Sequence, residues 1–105
     1  MEHIMTFEEF LTVLSTSNNG FSWKPLEQSF AIRAQHAGYT WCPLTVVCYM
    51  TTGQRWSPAD WPMVTHGLDL THELARSIVE AADGAPPYDA NIREQLLGAV
   101  GMASN

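Results

Sequence analysis

Apolar side chains recur along this chain at helical rather than strand spacing. Phe7, Phe10, Leu11 and Leu14 lie three and four residues apart, the periodicity of one helix face. Thr6-Phe7-Glu8-Glu9 stands at their head and reads as a capping box: the Thr6 hydroxyl accepts a free N–H of the first turn and Glu9 reaches back. The run Ser15-Thr16-Ser17-Asn18-Asn19-Gly20 ends this helix, because such side chains compete for backbone hydrogen bonds and Gly20 permits positive φ. A second stripe, Leu26, Phe30 and Ala34, predicts a helix from Ser22 to about His36. Pro25 then belongs to its first turn and Gly38 ends it.

The next segment supports two readings. Pro43 suits the first position of a helix that follows Cys42, with Leu44, Val47, Cys48 and Thr51 on one face and Gly53 as the stop. Thr45-Val46-Val47-Cys48-Tyr49 is β-branched and aromatic, a composition that favours a strand. The helix is the preferred reading, because the punctuation fits and the flanking segments read as helices. Ser57-Pro58-Ala59-Asp60 is a helix start, expected to give a turn or two ending at His66-Gly67. Asp69 is expected to cap a longer helix with Leu70, Leu74, Ile78 and Ala81 as its stripe, ended by Gly84 and the two prolines Pro86 and Pro87. Asp89 caps the last helix, in which Ile92, Leu96, Ala99 and Val100 are periodic.

The expected fold class is therefore all-α: a single domain over residues 1–105, built as a compact bundle of five to six short helices, with 101–105 as a frayed tail. The alternative is α+β, with a short strand pair around residues 39–56. Helices this short are not stable alone, so burial against one another must hold them.

Composition narrows the function classes. Among 105 residues, 46% are hydrophobic and 15% charged, the reverse of a disordered chain. No apolar run approaches the roughly 18–20 residues that span a bilayer, and Met1-Glu2-His3-Ile4 does not open like a signal peptide. Net charge is −6, and the five bases Lys24, Arg33, Arg55, Arg76 and Arg93 are scattered. Nucleic acids and anionic membranes both require clustered cations, so neither is an expected partner. The acidity suits a soluble cytoplasmic protein or one that meets a basic partner. Glu73 and Arg76, three apart, read as a solvated pair of small consequence. Cys42 and Cys48 would lie about 9 Å apart along a helix, beyond the roughly 7 Å a disulfide tolerates, so free thiols in a reducing compartment are expected.

Chemistry-bearing residues concentrate between Tyr39 and His72: both cysteines and Trp41, Trp56 and Trp61. Cys42 ahead of Pro43 would sit at a helix N-terminus, where free N–H groups favour a thiolate. His36, His66 or His72 would be its base, oriented by Asp60 or Asp69. In outline this resembles a cysteine hydrolase, with the nucleophile heading a helix and His and Asp supplied from elsewhere. The resemblance covers one residue and its setting, and implies Cys42, His66, His72 and Asp69 as catalytic candidates. A metal site built from Cys42, Cys48, His66 and His72 is not expected, because spacings of six, eighteen and six lack the close ligand pairs that zinc uses. No cofactor is expected. Tyr39, Trp41, Trp56 and Trp61, with Tyr49, Met63 and Arg55, form a candidate ligand or partner surface, Arg55 adding a cation–π contact or a carboxylate anchor.

Three functions follow, in order of preference. The first is a non-enzymatic module that binds a protein partner or itself. The second is a small-molecule binding domain using the tryptophan-rich pocket. The third is a hydrolase or transferase with Cys42 as nucleophile. A short helical chain without a catalytic motif is also typical of accessory proteins of phage and mobile elements.

Overall fold

The structure, a computed structural model, describes residues 4–17, 20–25, 32–55, 61–84 and 88–101; within these the side chains of Lys24, Pro25, Trp61, Pro62, Val64 and His66 are not described. Its described elements run α1 (Phe7–Thr16), β1 (Ser22–Pro25), β2 (Ile32–His36), β3 (Tyr39–Trp41), α2 (Pro43–Thr52), α3 (Trp61–Leu68), α4 (His72–Asp83) and α5 (Ala90–Ala99). The fold is α+β, not the all-α bundle that the stripes predict.

The overturning element is a three-stranded antiparallel sheet in the order β1-β2-β3. The helix expected from Ser22 to His36 does not form. Ser22–Pro25 and Ile32–His36 are paired strands, and Leu26 and Phe30 lie outside the described residues. The physical reason lies in a competing pattern. Ile32 and Ala34 are buried while Gln35 is exposed, an alternation of period two that places one face on the core. Pro25 sits in an edge strand, where a missing N–H is tolerated. Gly38 does not cap a helix; with Ala37 it forms the two-residue turn between β2 and β3, at φ 52° and 81°. Positive φ at both central residues matches the right-handed twist of the strands. The alternative α+β reading put a strand pair around 39–56, yet among the described residues of that range only 39–41 are strand.

Register sets the sheet's inner face. Trp23 pairs with Ala34 and Ala34 with Trp41, so a small side chain lies between two large ones. His36 pairs with Tyr39 two residues further along the same face.

Helix α2 settles the segment that supports two readings. It is a helix from Pro43, led by Cys42 and ended by Gly53 at φ 78°. Residues 43–48 are buried on every side, as expected for a helix apolar all round. Burial against α1, α3, α4 and β2 therefore outweighs the β propensity of Thr45-Val46-Val47. Around it lie Phe10 and Leu14 of α1, Ile32 and Ala34 of β2, and Ala75, Ile78, Ala81 and Ala82 of α4. Leu96 of α5 and the adjoining Val100 close the core.

The caps fall mostly where expected. Thr6 Oγ1 accepts the Glu9 N–H at 3.2 Å, and Glu9 Oε1 accepts the Thr6 N–H at 3.2 Å. Asp89 accepts from Asn91 and Ile92 at the head of α5. The cap of α4 is Thr71, which accepts the Leu74 N–H, rather than Asp69. Asp69 instead follows α3 at φ 55°, while the Leu70 N–H returns to the Thr65 carbonyl, a Schellman closure. Ser57 and the expected tail beyond Gly101 lie outside the described residues. No described helix is long and apolar enough to cross a membrane.

Candidate functional site

The hairpin and the second half of α2 lie against each other, and their aromatic residues meet. Trp41 and Tyr49 are edge to face, with ring centroids 5.2 Å apart. Phe21 is 5.2 Å from Trp41 and 4.8 Å from His36, and His36 is 6.5 Å from Tyr49. These separations are those of favourable ring pairs. Trp41 is 3% exposed, and its indole N–H donates to the His36 carbonyl at 3.1 Å. Trp41 is thus a core anchor rather than the wall of an open pocket. Trp23, half-buried, donates its indole N–H to Ser17 Oγ at 2.8 Å.

The outer side of this cluster is a surface. Tyr39 is 52% exposed, and Tyr49 and Met50 are each 38% exposed. The Arg55 guanidinium lies 3.7 Å from the centre of the Tyr39 ring, so the cation–π contact expected of Arg55 is made to Tyr39. Trp56 lies outside the described residues, and Trp61 is placed by its backbone at the start of α3. Met63 is exposed on α3. Between Gln28 and Ala59 the chain holds no Asp or Glu, although it carries 11 elsewhere. The aromatic surface therefore comes from the longest stretch of an acidic protein that lacks carboxylates, and it carries a guanidinium.

The second feature surrounds Cys42. Both cysteines are free and buried. The Cys42 N–H donates to Thr45 Oγ1 at 3.1 Å, the Thr45 hydroxyl donates to the Cys42 carbonyl at 2.8 Å, and Cys42 Sγ lies 3.5 Å from the same oxygen. Thr45, wholly buried, is thereby satisfied. Cys42 stands at the head of α2, as its sequence position implies, beside a cavity of about 160 Å³ lined by Arg33, Cys42, Pro43, Leu44, Ile78, Val79, Ala82 and Asp83. Arg33 Nη2 binds Asp83 Oδ1 across it at 2.5 Å. Of the catalytic candidates, Cys42 lines this cavity, and His72 and Asp69 do not. His72 is exposed at the first position of α4 and Asp69 is exposed in the turn after α3; neither lines it. The side chain of His66 is outside the description. Cys48 Sγ is 3.6 Å from Thr52 Oγ1, on the α3 side of α2 near Gly67. Arg76 pairs with Glu80 at 3.0 Å rather than with Glu73.

Sequence reasoning did not place Phe21 and His36 in the cluster, nor Arg33 with Asp83 at the cavity. The alternation Ile32-Arg33-Ala34-Gln35-His36, followed by Ala37-Gly38 and Tyr39-Thr40-Trp41, carries the signal of a hairpin and would have put His36 and Tyr39 on the face of Trp41. No local pattern pairs Arg33 with Asp83, fifty residues apart. Comparison with known proteins finds no matching family model, curated protein or solved structure.

Proposed function

We propose that this protein is a non-catalytic interaction module, and that Tyr39, Arg55, Tyr49 and Met50 form the centre of its partner-binding surface. One observation carries the reading: exposed Tyr49 is packed on a base of Phe21, His36 and Trp41, and exposed Tyr39, paired in register with His36, carries the Arg55 guanidinium on its ring. Tyr and Arg dominate binding hot spots, and Met and aromatic residues are enriched at the centres of interfaces. A rigid base keeps the entropy lost on binding small. The occupant is a protein surface with an apolar centre and a carboxylate rim. Tyr49 and Met50 take the apolar centre, and Arg55 takes a carboxylate through its planar fork. The two free thiols fit a reducing compartment such as the cytoplasm.

The test is a photo-activated cross-linker placed at Tyr39 or Met50 in the cell of origin, together with sedimentation of the purified protein over a range of concentrations. A discrete adduct is expected at both positions, or a mass that rises with concentration, and Arg55→Ser with Tyr49→Ser removes it while the circular dichroism persists. A monomer at every concentration that yields no adduct from either position sinks the reading.

A further inference from the structure

The cavity at the head of α2 takes no part in the aromatic surface. Its walls are aliphatic where Leu44, Ile78, Val79 and Ala82 line it, and Arg33 and Asp83 supply the charges. Volume limits what fits. About 160 Å³ is close to the roughly 150 Å³ of an apolar cavity that takes up a single benzene ring.

Arg33 decides the ligand's polar group. Its guanidinium donates from Nη1 to the Ile32 carbonyl at 3.0 Å and from Nη2 to Asp83 Oδ1 at 2.5 Å. A guanidinium carries five N–H donors in a planar fork suited to carboxylates, so these two bonds leave capacity at the cavity. Asp83 is the weaker-held partner. Its side chain is 41% exposed against 23% for Arg33, so it can turn to water while Arg33 stays.

We infer that this cavity binds a small monocarboxylate with one ring or a short branched chain, its apolar body against Leu44, Ile78, Val79 and Ala82 and its carboxylate on Arg33 in place of Asp83. The ligand is held without covalent chemistry, and Cys42 serves as wall.

The test is titration of the full-length protein with benzoate and with toluene, followed by nuclear magnetic resonance. Benzoate is expected to bind saturably at about 0.1–1 mM, the range for so few atoms, shifting the resonances of Leu44, Ile78 and Val79. Arg33→Met weakens benzoate about tenfold or more and leaves toluene unchanged. Asp83→Asn removes the competing carboxylate and tightens benzoate several-fold. Ala82→Leu fills the space and abolishes both ligands; should that variant lose its helical signal, Val79→Phe serves the same purpose from a half-buried position. Absence of saturable shifts at these residues overturns the inference. So does benzoate binding that survives both Arg33→Met and the filled cavity. Equal affinity for benzoate and toluene overturns the carboxylate assignment.

Discussion

The two ends of α2 share one helix and little else. From Pro43 to Cys48 every residue is buried, although Thr45, Val46 and Val47 are weak helix formers. From Tyr49 to Thr52 every residue is exposed, and two of the four are large and apolar. The first end lies wholly within the core of a helix against which α1, α3, α4 and the sheet pack. The second displays Tyr49, packed edge to face on Trp41, and Met50, whose sulfur lies 3.8 Å from the Thr16 hydroxyl of α1. The difference teaches that hydrophobicity along one helix can carry two roles. At the buried end it supplies stability, and removing a side chain should be felt by the whole fold. At the exposed end it is available to a partner, and removal should be felt mainly by binding.

Truncation measures that contrast directly. Leu44→Ala, at a wholly buried position, is expected to cost about 2–5 kcal/mol of folding free energy, a large share of the roughly 5–15 kcal/mol available to a domain. Met50→Ala, at the exposed end, is expected to cost under about 1 kcal/mol. Urea unfolding of both reads the difference, and equal losses would break the comparison. Trp41→Ala is expected to cost about 3–5 kcal/mol, because Trp41 anchors the sheet to α2. A folded, unweakened Trp41→Ala protein would return Trp41 to the list of surface candidates.

Smaller effects sharpen the boundary between the regions. Ala34→Leu is expected to cost about 1–3 kcal/mol by overpacking, since Ala34 lies in register with Trp23 on one side and Trp41 on the other. Thermal unfolding checks it, and an unchanged midpoint would mean the row is loosely packed. Gly53→Ala, at φ 78° with nothing within 4 Å of the added methyl, is expected to cost about 1 kcal/mol from backbone strain alone. The smallest effect has the opposite sign. Ala37 holds φ 52° in the hairpin turn, where Asn is better suited, so Ala37→Asn is expected to add about 0.5–1 kcal/mol.

How legible the molecule was in its sequence varied with the range of the interactions involved. The capping box at Thr6, the Asp89 cap, the left-handed stops at Gly53 and Gly84 and the Pro43 start all rest on groups within four residues of one another. Each was readable because the orphan N–H and C=O groups of a helix end take the partners nearest in the chain. The segment from Ser22 to His36 misled because two periodicities coexist there. Leu26, Phe30 and Ala34 fit a helix, while Ile32 and Ala34 fit a strand, and only a neighbouring strand decides between them. The aromatic candidates were half legible: Trp41, Tyr39, Tyr49 and Arg55 were singled out, but the ring that Arg55 covers was not. Phe21 and His36 reach the cluster through sheet register, which one-dimensional spacing does not express.

The sequence alone thus determined most of the helix ends, the free state expected of the two thiols, the acidic balance and the concentration of aromatic residues in the middle third. Tertiary structure alone decided that Ser22–Pro25, Ile32–His36 and Tyr39–Trp41 form a sheet and that Thr45-Val46-Val47 are helical. It also brought Arg33 to Asp83 at a cavity and set Arg55 on Tyr39. The physical reason is common to all of these. Local hydrogen bonds are satisfied by residues close in the chain, and their signals are strong and short. Strand pairing, burial of a helix on every side and ion pairs fifty residues apart gain free energy only when distant segments meet, so no window of the sequence contains them.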